Sequence, residues 1–371
     1  NKLQIERSTT DYSKAKTNYF GYRDAFNFLG EYNFNLDNKI VYGIDSEFDA
    51  SRYPKDFSGG DMREHDEGII SQYFDLQLRP FGKLHSTFGL RSDEHSTVGR
   101  KTSGRVTAAY LLDGNSKIRS SFGAGVRFPA MYDYKYGSST LVDKGSALEE
   151  LQSERGLSFD LGYDTFLDNL DLGLNITYFK TEQKNPLFSN ARTEWVVQNG
   201  TGRNTSEGVE LNANWKPTDS KFGLNFGYTF TDSYDANTCD PDELAAYDDN
   251  ECRLTGNKVA NAKVRVPRHA FETNISYLMS KNLKSFLKGK YISETRDFGN
   301  TNDSWTDQIL TDYFVFDLVG SYNYFDNYKI QLGINNIFDE KYQQAHEYST
   351  MGRTFNSVSY THLTLPTILL V

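Results

Sequence analysis

Phe222-Gly223-Leu224-Asn225-Phe226-Gly227-Tyr228-Thr229-Phe230-Thr231 sets large apolar residues against small polar ones at every second position. A strand points successive side chains to opposite faces, so this segment has one apolar and one polar face. A helix would need apolar residues three and four apart, and the segment does not supply them. The same alternation recurs in Leu172/Leu174/Ile176/Tyr178, Val209/Leu211/Ala213/Trp215, Phe271/Thr273/Ile275/Tyr277, Phe314/Phe316/Leu318 and Ile330/Leu332/Ile334. The polar face carries Gly, Asn, Thr and Ser, a composition suited to a wet interior. Several segments alternate for about nine residues or more, the length a tilted membrane strand needs.

The connections set the architecture. Short turns are expected at Leu36–Lys39, Pro80–Lys83, Asp113–Ser116, Leu167–Asn169, Pro217–Ser220, Ser280–Asn282 and Asp326–Asn327. Longer loops are expected near 49–65, 128–152, 184–203, 232–263, 296–311 and 339–351, with a briefer one near 95–100. Short and long connections thus alternate, as in an up-and-down transmembrane β-barrel with short periplasmic turns and long extracellular loops. The expected fold is all-β and antiparallel, with about 16 strands beginning near Lys2–Thr9.

Composition agrees. The chain has 371 residues, of which 37% are hydrophobic and 15% aromatic, with 25 Tyr and 26 Phe. Mean hydropathy is −0.63, yet disordered chains are poor in aromatics. No run of about 18 apolar residues is present, and a barrel needs none. The net charge of −10, without a Lys/Arg cluster, argues against nucleic acid as a partner. The six histidines are His65, His85, His95, His269, His346 and His362, and none is spaced as a zinc-binding pair. Neither a nucleophile elbow nor a phosphate-binding glycine loop occurs, so no enzyme is expected.

Several motifs resemble those of TonB-dependent outer-membrane receptors. Asn336-Ile337-Phe338-Asp339-Glu340-Lys341-Tyr342 resembles the family's Asn-Leu-Phe-Asp-x-x-Tyr element. Gly352-Arg353-Thr354-Phe355 resembles the opening of its last strand. Gln198-Asn199, followed by Gly208-Val209-Glu210-Leu211, resembles its Gly-Val-Glu-Leu strand. Arg127-Phe128-Pro129-Ala130-Met131-Tyr132 resembles its Arg-Ala-Pro-x-Leu-Tyr motif, and Leu151-Gln152-Ser153-Glu154 its Leu-Lys-Pro-Glu. Pro267-Arg268-His269 resembles a strand start of the same family. Most of these residues have a structural reading: Pro129 ends strand pairing, while Asn336 and Asp339 shape a turn.

The resemblance implies a C-terminal barrel fragment of a monomeric nutrient receptor in the Gram-negative outer membrane, over residues 1–356. Such barrels have about 22 strands around a plug, which would leave about six strands and the plug upstream of Asn1. The partners implied are membrane lipid, a small metal chelate and the TonB complex, the last reached through the absent N-terminal part. A ferric siderophore and cobalamin stay open as ligands. Haem is disfavoured, because no His lies between Arg127 and Leu151. A porin-like passive channel is the alternative, since about 16–18 strands is a porin size. Arg127, Tyr132, Tyr134, Lys135 and Tyr136 are the ligand-contact candidates. Glu210, on a polar strand face, is the candidate for meeting a plug arginine. Residues 357–371 break the alternation, contain Pro366 and resemble translated adapter sequence, so this tail is read as non-native.

The 232–252 loop gathers Asp232, Asp235, Asp240, Asp242, Glu243, Asp248, Asp249 and Glu251, whose mutual repulsion favours an open loop. A Cys239–Cys252 disulfide would close it, worth about 3 kcal/mol in the chain-entropy model, and would require an oxidising compartment. Calcium held by Asp235, Asp240, Asp242, Asp248, Asp249 and Glu251 is the second remedy, and otherwise no cofactor is expected. The disulfide alone is the preferred reading. Thiol titration of the unfolded, unreduced protein should find no reactive thiol, and two per chain would refute the disulfide. Calorimetry showing no heat with calcium would leave these carboxylates as surface charge.

Overall fold

The computed structural model describes residues 2–14, 17–53, 63–130, 133, 151–188, 197–199, 203–234, 263–301, 304–324 and 328–361. Sixteen long strands form one sheet whose order follows the chain. They are β1 (Lys2–Lys14), β2 (Thr17–Asn33), β3 (Lys39–Tyr53), β4 (Arg63–Phe81), β5 (Leu84–His95), β6 (Gly99–Leu111), β7 (Ser116–Arg127) and β8 (Glu154–Leu167). There follow β9 (Leu172–Lys184), β10 (Arg203–Trp215), β11 (Phe222–Tyr234), β12 (His269–Leu278), β13 (Leu283–Ile292), β14 (Tyr313–Tyr324), β15 (Tyr328–Asn335) and β16 (Thr354–Thr361). The count matches the sequence expectation. Six of the seven short turns fall where expected, and the seventh, at Asp326–Asn327, lies outside the described residues. The first strand runs past Thr9 to Lys14 and pairs with β2 along its whole length. The segment expected as a loop at 296–311 contains an antiparallel hairpin, Thr295–Thr301 with Ser304–Leu310.

By its contacts the chain divides into two compact units. One comprises residues 1–112, 118–161 and 180–205, and the other 113–117, 162–179 and 206–371. Each shows the same inversion of polarity. In the first, Ile40, Leu76, Phe88 and Val106 are successive register partners on one face. The other face carries Asp45, Ser71 and Asp93 in register. In the second, Tyr228, Phe271, Tyr291 and Phe314 form an aromatic row across β11–β14. Their neighbouring ring centroids lie 4.5, 5.7 and 4.4 Å apart. This row lies toward the long-connection ends of its strands, while Phe222 and Tyr277, 4.5 Å apart, lie at the short-turn ends. Two such belts are the interfacial girdles of a membrane barrel.

Burial points the same way independently. Among the described residues the buried apolar side chains are Ala50, Val197, Leu310 and Tyr313. Asp49, Ser71, Asp93, His95, Glu154, Arg296 and Asp297 are also buried, whereas Phe74, Phe88, Phe122, Leu174, Phe222 and Leu332 are exposed. A protein in water would bury the second set and hydrate the first. Lipid against the apolar face removes the contradiction, because there the exposed side chains are solvated by hydrocarbon.

The apolar pattern fails in β16. Phe355 lies opposite Ile334, but Ser357 and Ser359 then lie opposite Leu332 and Ile330. Val358 and Tyr360 fall instead on the face of Gln331 and Lys329. The polarity of the two faces therefore reverses from Ser357 onward. Spin labels at Phe222, Phe226, Leu174 and Phe316 should collide with a lipid-soluble relaxant. Labels at Asn225, Asn175 and Asp317 should respond to a water-soluble one. Equal responses from the two sets would contradict the assigned faces.

Candidate functional site

In the first unit, three segments separated in sequence meet where the strands give way to long connections. Arg127 ends β7, and its Nη1 donates to Glu154 Oε2 at 2.7 Å. Glu154 is 5% exposed, so its charge needs partners. Its second oxygen accepts from Leu187 N at 2.7 Å. Gln152 N donates to Asn199 Oδ1 at 2.7 Å, and Asn199 Nδ2 donates to Asn185 O at 2.9 Å. Three of the motifs thus converge on one hydrogen-bonded platform. Pro129 is fully buried, and Phe128 stacks on His95 at 4.7 Å. Beyond it Ala130 N donates to Asp133 Oδ2 at 2.8 Å, closing a turn.

Arg127 is therefore placed, already paired to Glu154. Tyr132, Tyr134, Lys135 and Tyr136 lie outside the described residues. So do Cys239, Cys252, Asp235, Asp240, Asp242, Asp248, Asp249 and Glu251.

The polar face of the same unit carries a cross-strand series of ion pairs that reading the sequence missed. Arg23 grips Asp49 through two bonds of 2.7 and 2.8 Å. Arg91 bridges Asp93 on its own strand at 2.7 Å and Asp45 on β3 at 3.0 Å. Arg105 reaches Asp75 at 2.6 Å, and Arg119 lies 3.5 Å from Asp160. The available signal was charge at alternate positions of a strand, as in Asp45/Glu47/Asp49 and Arg91/Asp93/His95. The partners of each charge depend on register, which a single strand does not display.

The second unit has a different polar face. A cavity of about 910 Å³ is lined by Asn175, Asn212, Asn214, Asn225 and Asn274. Lys117, Lys288, Lys290, Tyr313 and Tyr342 also border it. Asn212 Nδ2 donates to Asn175 Oδ1 at 3.3 Å, and Asn214 donates to Asn225. Lys117 lies 3.5 Å from Asp164 and Lys290 3.6 Å from Glu272. Glu210 is half-buried and precedes Asn212 and Asn214 on the same face of β10. Gly208, two residues before it, leaves no room for a side chain. A Cβ there would overlap Phe230 O and come within 2.7 Å of the Phe179 ring.

The motif at 336–342 forms a knot after β15. Asn336 and Asp339 both have positive φ, 51° and 57°, a conformation that Asn and Asp tolerate best among side-chain residues. Asn336 N donates to Asp317 Oδ1 at 2.8 Å, and its own side chain spans Glu340 N and Glu340 O, both at 2.8 Å. Asp339 Oδ1 accepts from Arg353 N at 2.7 Å. Phe338 meets Phe316 edge to face at 5.6 Å, and Tyr342 stacks on Tyr313 at 4.2 Å. These contacts bind the start of the last strand to the end of the preceding one.

A family model described as "TonB dependent receptor-like, beta-barrel" matches residues 3–337. The chain belongs to the TonB-dependent receptor family. It is an outer-membrane β-barrel, from a family of receptors and not of enzymes. This receptor chain is 22% identical over 305 residues to the "Ferric enterobactin receptor PirA" of Pseudomonas aeruginosa, covering 76% of the chain and 38% of that protein. It is 20% identical over 343 residues to the "Probable TonB-dependent siderophore receptor PirA" of Acinetobacter baumannii, covering 83% of the chain and 43% of that protein. The chain thus spans well under half the length of these relatives. Among solved structures, the FrpB iron transporter of Neisseria meningitidis superposes with a TM-score of 0.69 at 15% identity. That match covers 93% of this chain and 55% of the transporter.

Two of the receptor's motif residues allow a direct test of their structural role. Gly208→Ala overfills a closed contact, and Asn336→Ala removes the side-chain bonds of a strained turn. Each should lower barrel stability by about 1–3 kcal/mol, read by urea unfolding in lipid vesicles. A change below about 0.5 kcal/mol in both would show that neither residue holds the barrel together.

Proposed function

We propose that the intact protein takes up a ferric siderophore across the outer membrane. A TonB complex would supply the energy, acting through a part of the protein outside this chain. The observation that carries this reading is the similarity, over 76% and 83% of the chain, to two proteins named as siderophore receptors. Cobalamin loses ground, because these relatives and the structural neighbour bear names of iron or siderophore receptors and transporters.

The geometry is suited to the task. The platform of Arg127, Glu154, Asn199 and Phe128 holds the two described ends of the 128–152 connection. In this reading Tyr132, Tyr134, Lys135 and Tyr136 meet the chelate, aromatic rings and a cation facing an anionic ligand. Glu210 meets a plug arginine on the polar face of β10. The loop carrying Cys239 and Cys252 is closed by their disulfide, with calcium on its carboxylates as the lesser alternative.

Complementation of a receptor-deficient strain with the intact gene tests the proposal. Growth under iron limitation should be restored by ferric enterobactin or another ferric siderophore, and only in a TonB-positive host. Growth restored only on cobalamin would replace the ligand. Uptake independent of TonB would favour a passive channel.

A further inference from the structure

His95 is the last residue of β5, and its side chain is fully buried. Nδ1 accepts from Thr97 N at 3.1 Å and from Val98 N at 3.3 Å. Two N–H donors on Nδ1 place the proton of the neutral ring on Nε2. Nε2 makes no hydrogen bond and lies 3.6 Å from Glu67 Oε2. Asp49 lies directly opposite Glu67 in register and is itself gripped by Arg23. The ring face is stacked on Phe128, with centroids 4.7 Å apart and planes 19° from parallel. One imidazole therefore caps the turn between β5 and β6 and seats the residue that follows Arg127. A proton on Nε2 also argues against a metal ion there, because a metal needs that lone pair.

We propose that His95 is a positioning residue for the receptor mouth, its ring face setting the orientation of the Phe128–Pro129–Ala130 segment. The inference rests on the reading that the 128–152 connection meets the ligand. The cap and the stack are separable functions. An Asn side chain supplies an oxygen to the N–H groups two and three residues on, as in an Asx turn, but has no ring. A Phe side chain keeps the ring and lacks the acceptor. His95→Asn should therefore retain the turn and release Phe128, while His95→Phe should retain the stack and lose the cap.

The experiment uses the intact receptor in detergent, with 4-fluorophenylalanine at position 128 and nitrogen-15 in its histidines. The fluorine resonance should be shifted by the stacked ring in the wild type and in His95→Phe. It should move toward the value of the unfolded protein in His95→Asn. The nitrogen spectrum should show His95 with an unprotonated Nδ1. Binding of ferric enterobactin should weaken by about tenfold in His95→Asn, the span a ring pair of this kind carries, and change less in His95→Phe. An unmoved fluorine resonance in His95→Asn, or a proton on Nδ1, would overturn the proposal. Weakening in His95→Phe as large as or larger than that in His95→Asn would also overturn it, because binding would then not follow the ring stack. If the wild type binds no ferric chelate, the functional reading fails, and the fluorine and nitrogen spectra still decide the role of His95.

Discussion

A chain in hydrocarbon has no water to satisfy its backbone amides, so every strand must find its hydrogen bonds laterally. That constraint organises the molecule. It demands long, continuous strands, and successive side chains on such strands fall alternately on two faces. One face meets lipid and the other an aqueous interior, so the usual relation between burial and polarity is reversed. The aromatic row from Tyr228 to Phe314 and the buried Asp49, Asp93 and Glu154 are two results of the same requirement.

The two polar faces resolve this requirement differently. In the first unit, guanidinium and carboxylate groups on neighbouring strands neutralise one another, as with Arg23 and Asp49. In the second, amides share that part with lysine–carboxylate pairs, and Asn175, Asn212, Asn214 and Asn225 can each donate and accept. Turns and platforms are then built from side chains that reach backbone groups across long sequence separations. Glu154 holding Leu187 N and Asp317 holding Asn336 N are examples. Several of the motif residues in this chain are such anchors, which explains residue choices that a ligand alone would not require.

Much of the fold was legible because alternation and turn chemistry are local. Phe222–Thr231 displays its faces without reference to any neighbour, and Asp113-Gly114-Asn115-Ser116 announces its turn. The hairpin between Thr295 and Leu310 was not legible. It stands outside the main sheet, so no lipid-facing stripe marks its strands. Of the site, the motifs at 127–132 and 151–154 were recognised, but not that Arg127 and Glu154 bond directly. His95 read as an isolated histidine, since both Phe128 and Glu67 are brought to it by other strands. The cross-strand ion pairs were hidden for the same reason: a charge at alternate positions names a face, and only register names its partner.

Those ion pairs also act as proofreading for assembly. A strand displaced by one residue turns all its side chains to the opposite face. For β3 or β5 that slip would carry Asp45, Asp49 or Arg91 toward the bilayer. For an arginine near the midplane of a membrane barrel the penalty is about 2–4 kcal/mol. A serine or asparagine in the same place would be displaced with far less resistance. The charged strands of the first unit thus make misregistered pairings costly, and the correct alignment is distinguished as much by the errors it forbids as by the bonds it forms.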